Sequence, residues 1–552
     1  MTSLERTLSR RIAEGRDAFH TLRNARLLVG LRPDKYLRMG AAMRRAGLTN
    51  TVGIAVSAQR CPDRPALIDE LGVLSYRELD NRANAVASAL QELPGGTPLV
   101  VGIMCRNHRG FVDAFAAAER IGADVLLLNT SFAGPALAEV VEREHPDAIV
   151  YDEEFAAVVD DAIGDKPNIA RIVAWTDHPS EDPPALETLI ARHAGRRPVR
   201  TGRKSTVILL TSGTTGTPKG ARRAAGGGGS EGPAILARLP WRAEETTVVA
   251  APLFHAWGFG QLIMGTMLSC TLVVRRTFDA AAMMELVDRF QATGLSIVPA
   301  MLDRIMELPD EIRSRFSGRS LRFVTAAGSR MRPDVVTRFM NQFGDVVYNN
   351  YNATEVGVIA LAAPEDLRAA PETAGRLMPG TQVRILDDAR REVPRGEVGA
   401  IFARTHTQFE AYTSGHTKDV EDGYMATGDL GYLDDAGRLF VVGRDDEMIV
   451  SGGENVYPIE VERVLAAHPA VQDISVLGVD DAQFGQRLAA FVVLKPGACS
   501  SSEATADELK QYVREQLANY KVPREVVFLD ELPRNAVGKI ARKDLKSHLI
   551  SA

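Results

Sequence analysis

Short, unbroken apolar runs alternate along most of this chain with segments whose apolar positions recur every three or four residues. "PLVVGIMC" precedes "GFVDAFAAAERIG", which precedes "ADVLLLN". Further on, "AAMMELVDRFQATG" precedes "LSIVPA", and "LRFVTAAG" follows. Unbroken apolar runs read as strands covered on both faces, and the period near 3.6 reads as helices between them. These are βαβ units, so the main body is expected to be α/β, with mainly parallel sheets covered by helices. The pattern then changes. "TQVRILDD", "GEVGAIFART" and "GDLGYLDDAGRLFVVG" read as short strands of a small β-rich subdomain, "DDAG" being a hairpin signal. From about Arg444 a smaller α+β unit is expected, with helices at "YPIEVERVLAAH" and "ADELKQYVREQL" and strands at "VQDISVLGVD" and "RLAAFVVLK". The expected organisation is a basic arm over 1–46, a large domain over 47–443 and a small mobile domain over 444–552.

Two stretches test this reading. Thr246 to Val274 carries no Asp, Glu, Lys or Arg and is long enough to cross a bilayer. Pro252, Gly258, Gly260 and Gly265 interrupt it, and His255 and Gln261 are polar. It is therefore read as a buried strand (248–251), a loop, a buried helix (about 260–269) and another strand (272–274). "AAGGGGSEG" (224–232) is the only low-complexity patch and reads as a flexible surface loop.

Composition adds little until charge is mapped. The 552 residues are too many for one ordinary core, and the net charge of -6 does not ask for nucleic acid. Residues 1–46 depart from the rest: eleven Lys/Arg against four acids give +7, leaving about -13 elsewhere. That arm either rests on an anionic membrane surface or packs as a helix on its own protein. It lacks the apolar core of a secretory signal. Cys61, Cys105, Cys270 and Cys499 stand far apart without metal or redox spacing. The expected compartment is therefore the cytoplasm; if the arm is a membrane contact, the protein sits peripherally on the inner face of the membrane, and if it packs on its own protein, it does not.

The densest candidate chemistry is "ILLTSGTTGTPKGARR" (208–223). Thr211, Ser212, Thr214, Thr215 and Thr217 offer hydroxyls. Gly213 and Gly216 let backbone N–H groups turn toward a ligand, and Lys219 adds charge, which together suit phosphate. A Walker loop fails, because Pro218 stands where a glycine is required and Gly220 follows Lys219. Three further stretches follow in order: "YNNYNATE" (348–355), "YMATGDLG" through "IEVE" (424–462) and "LPRNAVGKIARKDL" (532–545). Together the four resemble the adenylate-forming superfamily of acyl-CoA synthetases, luciferases and peptide-synthetase adenylation domains, over nearly the whole chain from about Asn50. Fatty acyl-CoA synthetases are the nearest likeness on this reading.

The resemblance implies a two-step reaction. A carboxylate attacks the α-phosphate of ATP, giving an acyl-adenylate and pyrophosphate, and a CoA thiol then displaces AMP. Mg²⁺ is implied as well. Thr211–Gly220 would wrap the β- and γ-phosphates, Thr354 would touch the α-phosphate, and Glu355 would hold Mg²⁺. Tyr351, beside Asn350, would stack on adenine, with Gly328 and Ser329 on its other side. Asp429 would bind the ribose hydroxyls with Arg444 supporting it, and Lys539 would bridge the carboxylate and the α-phosphate. Asp446 would be the hinge of a rotating lid, and Gly452, Gly453 and Glu454 of "SGGEN" would face the thiol in the second step. Bland readings stand beside these: Tyr351 as core, Glu355 as a helix cap, Asp429 in a plain hairpin, Asp446 as an exposed acid. Asn352 stands where the family usually has glycine, and its tolerance of left-handed backbone is expected to keep the turn. His255 follows Phe254 where amino-acid-activating relatives carry Asp, which argues against an α-amino acid. Trp257 falls where acyl-CoA synthetases place an aromatic gate, though it could equally fill core. The uncharged helix after it could line an apolar tunnel for a medium to long acyl chain. An acceptor carrier protein, or an aryl acid in place of a fatty one, are the alternatives.

Overall fold

The computed structural model describes residues 20–27, 30–164, 166, 168–177, 183–211, 219–224, 228–353, 355–405, 418–447, 449–451, 454–481, 485–497, 502–535 and 538–549. The chain divides into two compact units, Met1–Thr381 with Thr405–Lys418, and Gln382–Arg404 with Asp419–Ala552.

The first unit holds two sheets. One runs in the order Ala170–Trp175, Ala148–Asp152, Val100–Met104, Asp124–Leu127, Thr206–Thr211, Lys219–Ala224, parallel except for its last pair. The other has a parallel centre ordered Val347–Ala353, Phe323–Ala327, Gly294–Ile297, Thr246–Val249, Thr271–Val274, Pro65–Asp69. Antiparallel partners flank it at Gly357–Ala362 and Gly72–Ser75. Crossover helices cover these strands on both faces, which is why the strands read as unbroken apolar runs. Arg109–Ile121 is the clearest crossover, ended by Gly122 in the left-handed region at φ 76°. One large core lies under Ala280–Arg289, Pro299–Glu307 and Pro333–Phe343, where Met284, Val287, Ile305 and Phe339 are fully buried against Val248, Leu295 and Val324.

The uncharged stretch is a strand (Thr246–Val249), a helix (Ala256–Met267) and a strand (Thr271–Val274). The helix begins four residues before its expected start. Gly258 makes this possible: a Cβ there would sit 2.2 Å from the Pro252 carbonyl oxygen, so only glycine lets the first turn close onto the preceding loop. No helix among the described residues is long and apolar enough to cross a membrane. The expected glycine loop at 224–232 is corrected in part. A helix runs Gly228–Arg238, because Ala234, Ile235 and Leu236 pack against the cluster of Leu239, Trp241 and Phe323. That tertiary burial outweighs the cost of about 1 kcal/mol per helical glycine.

The described part of the N-terminal arm packs on this unit. Ala25 and Ala42 are buried, the Ala25 carbonyl accepts from Ala243 N–H at 2.7 Å, and Lys35 Nζ donates to the Arg60 carbonyl at 2.8 Å.

In the second unit, Gln382–Leu386, Gly399–Arg404, Tyr424–Leu433 and Arg438–Arg444 pair antiparallel in that order. The "DDAG" hairpin forms as expected, closed by Asp434 N–H to the Arg438 carbonyl at 3.0 Å. A separate sheet pairs Glu454–Val456, Ile449–Ser451, Gly485–Leu494 and Val471–Asp481, with Glu525–Phe528 parallel to Gly485–Leu494. Pro458–Ala466 and Ser502–Gln516 cover one face through Val461, Leu465, Leu509 and Val513. Leu532, Ile540 and Leu545 cover the other through Ala489 and Phe491.

Candidate functional site

In the first unit the predicted residues gather at the carboxyl ends of parallel strands, the usual ligand edge of such sheets. The Val347–Ala353 strand carries Asn350 and Tyr351. Asn350 is buried, and its Nδ2 donates to Thr325 Oγ1 at 2.7 Å and to the Ala326 carbonyl at 3.2 Å, fixing this strand against its neighbour. Register pairs Ala327 with Asn350, so Gly328 and Ser329, both exposed, leave their strand beside Tyr351. Gly328 has φ 104°, and nothing lies within 4 Å of where its Cβ would be. Tyr351 is half-buried at this open edge and is not core.

Asn352 does not take the left-handed backbone expected of it. The strand instead shifts register between Tyr351 and Asn352, a bulge that makes the bend without glycine. Glu355 follows in a tight turn closed by Val356 N–H to the Ala353 carbonyl at 3.1 Å, with Gly357 at φ 100°. The turn joins two strands, so the helix-cap reading of Glu355 is excluded. Glu355 itself is buried. Thr354 lies outside the described residues.

The strands on either side of the glycine-threonine segment, Thr206–Thr211 and Lys219–Ala224, pair antiparallel. Thr211 and Lys219 are register partners at its mouth, and Ser212, Gly213, Thr214, Thr215, Gly216 and Thr217 lie outside the described residues. The pair extends the first sheet at its edge, and the apolar Thr206–Thr211 strand anchors it.

His255 occupies the N-cap of Ala256–Met267, and its carbonyl accepts from Phe259 N–H at 2.9 Å. Trp257 is 7% exposed, and its Nε1 donates to the Ile297 carbonyl at 2.9 Å. Ala251, Val298, Met301 and Ala327 surround it. The indole is thus packed among apolar side chains with its N–H satisfied. Two residues beside it escaped the sequence reading. Gln261, one turn further along the helix, is 5% exposed with Oε1 unpartnered. Ser296, next to Ile297, is fully buried with Oγ unpartnered. Leu295 and Ile297 point into the large core, so Ser296 faces the side that Trp257 covers. The only sequence signal was a glutamine in an otherwise uncharged stretch.

In the second unit, Asp429 and Arg444 are register partners across the mouth of the "DDAG" hairpin, with Nη1 and Oδ1 3.7 Å apart. Asp429 N–H donates to Thr427 Oγ1 at 3.1 Å, and Thr427 in turn donates to the Ile401 carbonyl at 3.0 Å, which orients the acid-bearing turn. Lys539 sits on a tight loop. Arg534 and Ile540 bridge, Gly538 N–H donates to the Asn535 carbonyl at 2.8 Å, and Lys539 N–H donates to Asn535 Oδ1 at 3.0 Å. Gly538, just before Lys539, has φ 74°, a left-handed backbone that glycine takes without strain. Leu532, Ile540 and Leu545 pin both flanks of that loop to the sheet. Asp446 lies in the 3-10 turn Asp445–Glu447. Glu454 begins the short strand after Gly452 and Gly453, which lie outside the described residues.

One trio of potential metal ligands, Cys105, His108 and Asp152, brings its ligand atoms within 4.8 Å. It is already satisfied as structure. His108 Nδ1 accepts from Gly110 N–H at 3.0 Å, which caps the Arg109–Ile121 helix, and its Nε2 meets Asp152 Oδ1 at 2.7 Å. Arg106 N–H occupies the other Asp152 oxygen.

The AMP-binding enzyme profile matches residues 54–413, and the AMP-binding enzyme C-terminal domain matches residues 460–539. The chain belongs to the AMP-binding enzyme family. It is similar to an indoleacetate–CoA ligase of Aromatoleum aromaticum, 31% identical over 86% of this chain and 92% of the relative. It is likewise similar to a 2-succinylbenzoate–CoA ligase of Geobacillus kaustophilus, 31% identical over 88% and 95%. Among solved structures, the anthranilate CoA ligase AuaEII in complex with anthranoyl-AMP is 26% identical, covers 90% of this chain and 97% of its own, and has a TM-score of 0.81. The family activates carboxylic acids with ATP, and the chain takes ATP, Mg²⁺ and CoA in that chemistry.

Proposed function

We propose that this chain is an ATP-dependent acid–CoA ligase whose acid is compact and aromatic, in place of the long alkyl acid first expected. The observation that carries this reading is a pair of buried, unpartnered polar atoms beside Trp257. The indole is tied to the Ile297 carbonyl, and Gln261 Oε1 and Ser296 Oγ beside it are buried without partners. An alkyl chain seated against them leaves both unsatisfied, at about 1–3 kcal/mol each. A ring bearing an N–H or O–H satisfies at least one. The relatives that act on indoleacetate, 2-succinylbenzoate and anthranilate support the same class.

On this reading the chain's own residues divide the work by charge. Thr211–Lys219 and Thr354 hold the phosphates, Tyr351 with Asn350, Gly328 and Ser329 holds adenine, and Asp429, oriented through Thr427 and Arg444, holds the ribose. Lys539 neutralises charge that builds on the α-phosphate, where a preorganised cation acts most strongly. Glu355 would hold Mg²⁺, which when bound would supply Lewis-acid stabilisation of phosphate oxygens. The thiol step engages Gly452, Gly453 and Glu454.

The test is acid-dependent pyrophosphate release, followed by thioester formation on adding CoA. The panel comprises indoleacetate, phenylacetate, benzoate, anthranilate and straight-chain acids from octanoate to palmitate. The reading expects kcat/KM to peak on a ring-bearing acid. A maximum on dodecanoate or palmitate returns the assignment to fatty acids.

A further inference from the structure

The N-terminal helix and a distant loop share one outward surface that the ligase chemistry does not use. The Pro33–Ala46 helix buries Ala42 and turns Tyr36, Leu37, Gly40 and Met43 outward. Leu37 is 76% exposed, and Leu48 just past the helix is 75% exposed. The loop 192–204, "RHAGRRPVRTGRK", carries six Lys/Arg and no acid. It is joined to the helix by Arg200, whose Nη1 donates to the Arg44 carbonyl at 3.0 Å and whose Nη2 lies 3.7 Å from where a Gly47 Cβ would be. Val199 in that loop is 75% exposed although its backbone is fixed in both directions, N–H to Gln91 Oε1 at 2.8 Å and carbonyl from Gln91 Nε2 at 2.6 Å. Rigidly held, exposed Leu and Val side chains thus stand among cations. Arg44, Arg45, Arg197 and Lys204 are exposed and have no acidic partner among the described residues, while Asp34 on the same helix is neutralised by Arg32 and Arg38.

We propose that this composite face, Leu37, Met43, Leu48 and Val199 with Arg44, Arg45, Arg197 and Lys204, docks the enzyme on an anionic lipid bilayer. The chemistry of the occupant follows from the mixture. Anionic headgroups match uncompensated guanidinium and ammonium groups, and the exposed apolar side chains of the same segments need an acyl boundary to enter. A nucleic acid would match the charges and leave the leucines in water. The face is fixed by the fold of the first unit, so the contact does not depend on residues 1–19.

The full-length enzyme should co-sediment with phosphatidylcholine vesicles containing about 30% phosphatidylserine, and only weakly with phosphatidylcholine alone. Each basic residue near such a surface contributes about fivefold in partitioning, so R44E/R45E/R197E should weaken it by at least about 100-fold. Raising salt toward 1 M should also release the enzyme, as the screening length falls from about 10 Å to about 3 Å. L37S/L48S should weaken binding while leaving the charge unchanged. Turnover of a soluble acid and the thermal midpoint should stay at parent values in both variants. If the charge-reversed protein does not fold, L37S/L48S and the salt series decide alone. Equal binding to uncharged vesicles, no loss in L37S/L48S, or tighter binding to a single-stranded RNA oligonucleotide than to the anionic vesicles would each overturn the proposal.

Discussion

Replacing Trp257 with leucine separates a structural indole from one that also shapes the acid site. The side chain is 7% exposed and contacts Ala251, Val298, Met301 and Ala327. The substitution removes about 60 Å³, worth about 1.5 kcal/mol at about 24 cal/mol per Å³ of residual cavity. It also removes the donor to the Ile297 carbonyl, a loss of about 1–2 kcal/mol with that oxygen left buried. Trp257→Leu should therefore cost about 3 kcal/mol, read as a lowered urea midpoint of the first unit's transition. The vacated space, next to Gln261 and Ser296, should let larger acids gain. The assay is kcat/KM for pyrophosphate release over benzoate, phenylacetate, indoleacetate and octanoate, with the ranking shifted toward the bulkier acids by about tenfold or more, since an extra methylene or two is worth about 1–3 kcal/mol. A lowered midpoint with an unchanged ranking would show that Trp257 only fills core, and the polar-lining argument for an aromatic acid would fall with it. An unchanged midpoint would refute the packing itself.

Lys539→Ala should slow adenylation by about 10²–10³ while thioester formation from supplied acyl-AMP proceeds near the parent rate; equal loss in both half-reactions would remove Lys539 from its proposed role. Asp446→Pro should let acyl-AMP accumulate and cut thioester output by orders of magnitude, because the 3-10 turn of Asp445–Glu447 accepts a φ near -65° and proline then holds it there; parent-rate thioester formation would exclude Asp446 as the hinge. Glu119→Gln should cost about 2–4 kcal/mol, since the buried carboxylate accepts from Asn50 N–H and Nδ2 and from Thr51 N–H and Oγ1, and an amide turns part of that acceptor set into a donor. Burial holds the Glu119 carboxyl above its ordinary range despite those bonds. The folded state therefore takes up this proton more readily than the unfolded chain, and the stability gained from it is full below about pH 4.3 and lost as pH rises through the folded value. The margin of parent over variant in urea midpoint should then narrow from low to neutral pH, and a margin that widens would refute the sign.

Local pattern determined the elements of this chain wherever burial was two-sided. Within "LSIVPA" and "LRFVTAAG" the short apolar runs form the buried strands Gly294–Ile297 and Phe323–Ala327, as their length and flanking turn residues suggested. Turn chemistry was equally local. Gly538 before Lys539 and "DDAG" after Asp429 impose their bends through backbone conformation, which neighbouring residues cannot change. The helix at Gly228–Arg238 was not legible, since glycine argues against it locally and the burial of Ile235 and Leu236 beside Trp241 is settled by residues far along the chain. Nor was the bend at Asn352, which a register shift against the following strand supplies. Motifs named Asp429 and Arg444, but their meeting across a hairpin mouth is a consequence of strand register. Trp257, Gln261 and Ser296 show the limit most plainly. Sequence supplied an indole, an amide and a hydroxyl in an uncharged setting. Whether each is satisfied or left facing a ligand depends on which carbonyl lies within 3 Å once helix and sheet have packed, and only the tertiary structure fixes that distance.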